Sequence, residues 1–161
     1  MYKALKDIPR ILKYSLLLSF LSLLLIACKF NSEENHTAHL NPNDTGYEMQ
    51  TELEESIQLG AEVYEDFCVT CHRPNGEGIP KSFPPLAGSD YLMNNREESI
   101  RAVKFGQQGE IVVNGITYNS VMAAQGLEDD EIANVMNYIM NSWGNKQEKM
   151  VRIEEIASIT K

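Results

Sequence analysis

A small all-α domain is the fold class this sequence predicts, and three observations predict it. Two stretches, 54–67 and 129–143, repeat apolar residues at the spacing of a helix face. Only one short segment between them, 110–118, shows a strand-and-turn pattern, so any β structure is confined to a hairpin. The chain has 161 residues, 43% hydrophobic and 23% charged, which fits one packed domain plus appendages. Collagen-like, coiled-coil and wholly disordered chains are excluded by the same composition.

The first element is not part of that domain. Residues 1–13 hold Lys3, Lys6, Arg10 and Lys13, and residues 14–27 read YSLLLSFLSLLLIA without a charge. A run this short does not span a bilayer core of about 30 Å at about 1.5 Å per residue. It suits the core of an export signal, with a buried core helix or an uncleaved anchor as alternatives. The run ends Leu25-Ile26-Ala27-Cys28, which resembles the lipobox of bacterial lipoproteins. That resemblance implies cleavage after Ala27 and lipidation of Cys28, several acyl chains being able to hold a protein on a membrane where one does not. Plain cleavage leaving a free thiol is the rival. The expectation is an exported bacterial lipoprotein, anchored in a membrane on its periplasmic side or at the cell surface.

Removal of residues 1–27 takes away a net charge of +3 from a chain of −9, leaving 134 residues at −12. Such a chain repels nucleic acid and is drawn to partners with basic docking surfaces. Residues 28–52 are polar, rich in Asn and interrupted by Pro42 and Gly46, and read as a flexible tether from Cys28. His36 and His39 lie in it and read as solvated linker in preference to a metal site. The domain then covers 53–145, and 146–161 is a tail with Met150, Val151, Ile153, Ile156 and Ile159 at roughly helical spacing. It either packs back on the domain or meets a partner.

Within the domain, the first predicted helix, 54–67, sets Ile57, Gly60, Ala61, Tyr64 and Phe67 at helical spacing. It leads into Cys68-Val69-Thr70-Cys71-His72, a C-x-x-C-H motif. Two thiols one helical turn apart can each add to a vinyl group of haem, and the adjacent imidazole is then placed to ligate iron. A disulfide, a thioredoxin-like pair, a zinc site and chance occurrence are the alternatives. The thioredoxin reading lacks a helix after the motif, because Arg73-Pro74-Asn75-Gly76 breaks the chain, and zinc lacks a Cys or His downstream.

From this motif outward, residues 55–145 resemble the class I c-type cytochromes. Gly60 and Tyr64 stand eight and four residues before the first Cys, as the family's Gly and aromatic do where first and last helices cross. The last helix, 129–143, carries Ile132, Val135, Met136, Ile139 and Trp143 on one stripe with Tyr138 beside it. Val135 and Tyr138 match the family's crossing pair, and Gly144 reads as the C-terminal cap. Phe83-Pro84-Pro85-Leu86-Ala87-Gly88 resembles the P-x-L-x-G segment, which implies that the Pro84 carbonyl accepts a hydrogen bond from His72; a rigid surface turn is the alternative. Residues 96–105 read as an amphipathic middle helix with Ile100, Val103 and the stem of Lys104 inward.

Residues 110–118 form two apolar runs about Asn114-Gly115, a hairpin signal, placed just before the loop of Met122. The resemblance implies Met122 as the second axial ligand of the iron beside His72, although Ala123 stands where many members have Pro. A buried Met filling a core gap is the alternative. Tyr118 is a candidate hydrogen bond to a haem propionate, with plain packing as its alternative. The fold that the resemblance implies is a small cytochrome c fold of three to five helices around one covalent haem c, bound through Cys68 and Cys71. With both axial positions filled, no catalytic residue is assigned, and the implied function is single-electron transfer between respiratory-chain components and a terminal oxidase or exported reductase, by a monomer. The alternatives are a haem gas sensor or peroxidase-like enzyme with a labile Met ligand, and a cytochrome subunit that works only within a larger oxidoreductase.

Overall fold

The computed structural model describes residues 45–147 and 149–161. The leader 1–27, Cys28, His36, His39 and the tether up to residue 44 lie outside the described residues. The elements are α1 (Thr45–Phe67), α2 (Val69–His72), α3 (Asp90–Asn94), α4 (Arg96–Phe105), β1 (Ile111–Val113), β2 (Ile116–Tyr118), α5 (Asp129–Ile139) and α6 (Ile153–Ser158). The fold is all-α with one small hairpin. No described helix is long and apolar enough to cross a membrane.

The pairing of α1 with α5 organises the rest. Gly60 is buried where the helices cross, and a Cβ there would lie 2.0 Å from the Asn134 carbonyl oxygen and 2.8 Å from Tyr138 Cβ. Glycine costs a helix about 1 kcal/mol relative to alanine, and here it admits a backbone contact that any side chain would block. The predicted crossing partner Tyr138 is in place, and the Asn134 backbone is the nearest neighbour of Gly60. Val135 is buried in the same core as Tyr64 and also lines the cavity described below. Above the crossing, Tyr64, Tyr138 and Trp143 pack ring to ring at 5.0–5.4 Å between centroids. Beneath it a buried polar link runs from Ser56 Oγ to Asn134 Oδ1 at 2.7 Å and from Asn137 Nδ2 to Ser56 Oγ at 2.8 Å.

Two helix boundaries differ from those predicted. α1 starts at Thr45, nine residues before the expected start, so part of the segment read as tether is helical. Residues 46–52 are exposed throughout, and a helix with no buried face leaves no apolar period to detect. α5 stops at Ile139, four residues short of Trp143. Side-chain amides replace the continuing helix: Asn141 Nδ2 donates to the Asn137 carbonyl at 2.9 Å and Asn145 Nδ2 to the Ile139 carbonyl at 2.8 Å. The cap is therefore Met140, and Gly144 belongs to the turn beyond. The N-terminal end matches expectation, with Asp129, Asp130 and Glu131 in the first turn and a reciprocal Glu128–Glu131 capping box. The middle helix and the hairpin, with Ile111 opposite Tyr118 about Asn114-Gly115, fall where predicted.

The tail belongs to the core. Val151, Ile156 and Ile159 are buried with Ile100, Met136 and Met140, and each such side chain is worth roughly 1.5–3 kcal/mol. Arg96 fastens it: Nε and Nη2 meet the two Glu155 oxygens at 2.6 and 2.8 Å, and the same guanidinium donates to the carbonyls of Lys149 and Met150. That guanidinium holds the Glu155 carboxyl below the usual carboxylate range, against the opposing effect of partial burial. The Arg152–Glu52 pair, about half exposed on each side at 52% and 54%, adds little.

Gly60→Ala is expected to lower unfolding free energy by about 3 kcal/mol or more, since backbone must move to admit the methyl. Gly46→Ala, at an open helical position, is expected to be neutral or stabilising by up to about 1 kcal/mol. Urea melts of the two variants against wild type measure both; equal midpoints would show that the crossing tolerates a side chain.

Candidate functional site

The ends of α1 and α2 place the motif. α1 runs out at Phe67, Cys68 turns the chain, and the one-turn helix α2 carries Cys71 and His72 to its inner end. Tyr64 Oη donates to the Arg73 carbonyl at 2.6 Å and so ties the turn after His72 back to α1. Burial, reinforced by the neighbouring Cys68, Tyr138, Glu77 and Glu65, drives the Tyr64 phenol far above its ordinary range, so it stays a donor.

Cys68 and Cys71 are free thiols, both half-buried, and burial together with Cys71 pushes the Cys68 thiol up to about 11. No group of three or more His, Cys, Asp or Glu side chains suited to a metal occurs among the described residues, which leaves the zinc alternative without a ligand set. His72 is buried, and its Nδ1 lies 3.0 Å from the Pro84 carbonyl oxygen. Burial lowers its pKa and the Pro84 hydrogen bond partly opposes that, so the ring is neutral at pH 7 with Nδ1 protonated and Nε2 available as a donor atom.

The Pro84 carbonyl is held from behind by Gly78, a residue without a sequence signal beyond its place in Gly76-Glu77-Gly78. A Cβ on Gly78 would lie 2.4 Å from the Phe83 carbonyl oxygen and 2.7 Å from that of Pro84. Its φ of 64° is one that a side chain disfavours. The chain can double back this closely only with glycine there. Ile79 and Phe83 then exchange backbone hydrogen bonds at 2.8 Å, which closes the loop that presents Pro84.

Met122 arrives from the other side of the sequence. Its backbone exchanges two hydrogen bonds with Gln107 at 2.8 and 2.9 Å, pinning the loop to the end of α4. Ser120 Oγ donates to the Ser82 carbonyl at 2.5 Å and fastens the same loop to the Pro84 segment. Tyr118, 4% exposed, closes β2 over the site. Its hydroxyl has no hydrogen-bond partner among the described residues.

All six predicted residues of the domain, Cys68, Cys71, His72, Pro84, Tyr118 and Met122, line one cavity of about 320 Å³. Its remaining wall is chiefly aliphatic and aromatic, from Leu86, Leu92, Val103, Val113, Val135 and Ile139 among others. Cys28 lies outside the described residues. An imidazole with one free nitrogen, a thioether sulfur and two free thiols around an apolar slot form a donor set that fits an iron-bearing, largely apolar prosthetic group and can hold it both covalently and by coordination.

A helical domain built around such a slot belongs to the cofactor-carrying class of small proteins. The cytochrome c family model matches residues 57–143. Cytochrome c-552 of Thermus thermophilus is 45% identical over 91 residues, which span 53% of this chain and 69% of that protein. A cytochrome c-552 from a further strain of the same species is equally similar, over 61% of its length. The cytochrome c subunit of a quinone alcohol dehydrogenase from Gluconacetobacter polyoxogenes is 32% identical over 104 residues, 62% of this chain but 22% of that subunit. The chain belongs to the cytochrome c family, in its class I form, and its cofactor is one covalently bound haem c.

The Tyr64 hydrogen bond can be tested without reference to the cofactor's chemistry. Tyr64→Phe leaves the ring packing and removes the donor to Arg73, with an expected loss of about 1–2 kcal/mol seen in the guanidinium midpoint. No change would assign the turn after His72 to other contacts.

Proposed function

We propose that this chain is a membrane-tethered monohaem cytochrome c that passes single electrons between respiratory-chain components and a terminal oxidase or an exported reductase. The observation that carries it is the convergence of His72 and Met122 with two free thiols on one apolar cavity. Bound there, haem supplies a reversible Fe(III)/Fe(II) couple. Cys68 and Cys71 would hold it by thioethers, His72 Nε2 and the Met122 sulfur would be donors to its iron, and Tyr118 would supply a hydroxyl to a propionate. Pro84 fixes the tautomer of His72, and the Gln107 clamp keeps Met122 from swinging away. With two protein donors for the iron, oxygen, peroxide or substrate would find no vacant place on it, which weighs against a gas sensor or peroxidase.

The charge of the domain supports basic redox partners. α1 carries Glu48, Glu52, Glu54, Glu55, Glu62, Glu65 and Asp66, all exposed, and no basic residue. Such a face steers a cationic partner and holds it briefly. The leader 1–27 and the lipobox ending at Cys28 support export and lipid anchoring, with 28–44 as the tether. A second reading, a cytochrome subunit within a larger oxidoreductase, is supported by the likeness to the alcohol dehydrogenase subunit.

Two variants test the proposal. Met122→Ala is expected to retain covalent haem, lower the midpoint potential and admit carbon monoxide to the ferrous iron, as read by redox titration and optical spectra. An unchanged potential removes Met122 from the iron. Cys28→Ser is expected to move the protein from the membrane to the soluble fraction with its haem spectrum intact; continued membrane association after peripheral proteins are stripped would sink the lipoprotein claim.

A further inference from the structure

Asn145 lies just beyond the end of α5, is 7% exposed, and divides its side-chain amide between two separate parts of the chain. Nδ2 donates one hydrogen to the Ile139 carbonyl and the other to the Leu86 carbonyl, each at 2.8 Å. Oδ1 accepts the Gly88 backbone N–H at 3.0 Å. Both donors of the amide are thus committed. Ending the helix uses only the bond to Ile139. The other two reach 59 and 57 residues back along the chain and grip the segment that carries Pro84.

That grip is passed on by the local backbone. Leu86 is two residues from Pro84, the ring of the intervening Pro85 fixes its own φ, and a residue before proline is restricted in turn. Holding the Leu86 carbonyl therefore limits the swing of the Pro84 carbonyl, whose oxygen lies 3.0 Å from His72 Nδ1. The same segment is tied on the side of the cysteine motif, where the Gly76 carbonyl accepts the N–H groups of Leu86 and Ala87 at 2.7 and 2.9 Å. Gly76 itself lies against Trp143, and a Cβ there would come within 2.5 Å of the indole ring. The chain just after α5 meets both sides of the His72–Pro84 hydrogen bond: Trp143 touches the turn that follows the donor, and Asn145 holds the segment that supplies the acceptor.

We propose that Asn145 is a positioning residue for His72: by holding Leu86 and Gly88 it keeps the Pro84 carbonyl within hydrogen-bond reach of Nδ1. The inference rests on the haem-binding reading of the cavity. An imidazole whose Nδ1–H is held by an acceptor is a more basic donor through Nε2, and a more basic donor favours the oxidised, more positively charged iron. Without the Asn145 amide the Pro84 carbonyl gains play, its bond to Nδ1 weakens, and the balance moves toward the reduced state.

The test uses the full chain exported with haem-attachment machinery, as wild type, Asn145→Ala, Asn145→Ser and Asn141→Ala. The last variant removes a comparable amide at the end of α5, with its bonds to the Asn137 carbonyl and the Gln147 N–H, and leaves the 84–88 segment untouched. Two quantities are read: the midpoint potential by redox titration, and the rate at which the His72 Nδ1 proton of the reduced protein exchanges with solvent, by NMR. The expected result is a raised midpoint and faster proton exchange in Asn145→Ala, with Asn141→Ala at the wild-type value in both, although both variants lose stability to guanidinium. Asn145→Ser, the smaller change, is expected to shift both quantities in the same direction and carries the comparison if Ala fails to mature. An unchanged or lowered midpoint in the Asn145 variants, or an equal shift in Asn141→Ala, overturns the proposal. A wild type without covalent haem is a separate result, one that removes the underlying reading instead.

Discussion

The absence of a side chain at residue 60 sets the distance between α1 and α5, and the rest of the domain is arranged around that distance. With Asn134 backbone in contact at Gly60, Tyr64 is brought under Tyr138 and Trp143, and the end of α1 is fixed over the cavity. The motif follows without a free joint: Tyr64 holds the Arg73 carbonyl, and the turn beyond His72 cannot drift. Any substitution that opened the crossing would act on His72 through two rigid steps.

The site is assembled by backbone as much as by side chains. Pro84 is presented by a loop closed through Ile79 and Phe83 and backed by Gly78, and Met122 by a loop paired with Gln107. Ser120 joins the two loops. The loops that line the cavity are therefore tied at several points, and a site whose backbone is held in this way suits an electron carrier.

Legibility in the sequence followed burial and chemistry. The middle helix was readable over 96–105 because Ile100 and Val103 give it an inner face, and the hairpin because Asn-Gly dictates its turn. Residues 46–52 were unreadable as helix because nothing in them is buried enough to leave a period. The end of α5 was misplaced because asparagine reads only as a polar position, while Asn141 and Asn145 stop the helix by taking its carbonyls. The motif residues announced their chemistry, and Pro84, Tyr118 and Met122 came through resemblance to a family. Gly78 gave no signal, since a close backbone approach exists only in three dimensions.

The buried link from Ser56 to Asn134 joins residues 78 positions apart in the chain. A contact of that span forms late, because the loop between must be closed before the contact can repay its entropy. Under the export proposed above, Cys68 and Cys71 would emerge well before α5 does. During that interval the two thiols stand on a segment with no finished core around it, open to any group that has to be joined to them. Folding order thus gives a time window for maturation that the completed, half-buried cysteines would not offer.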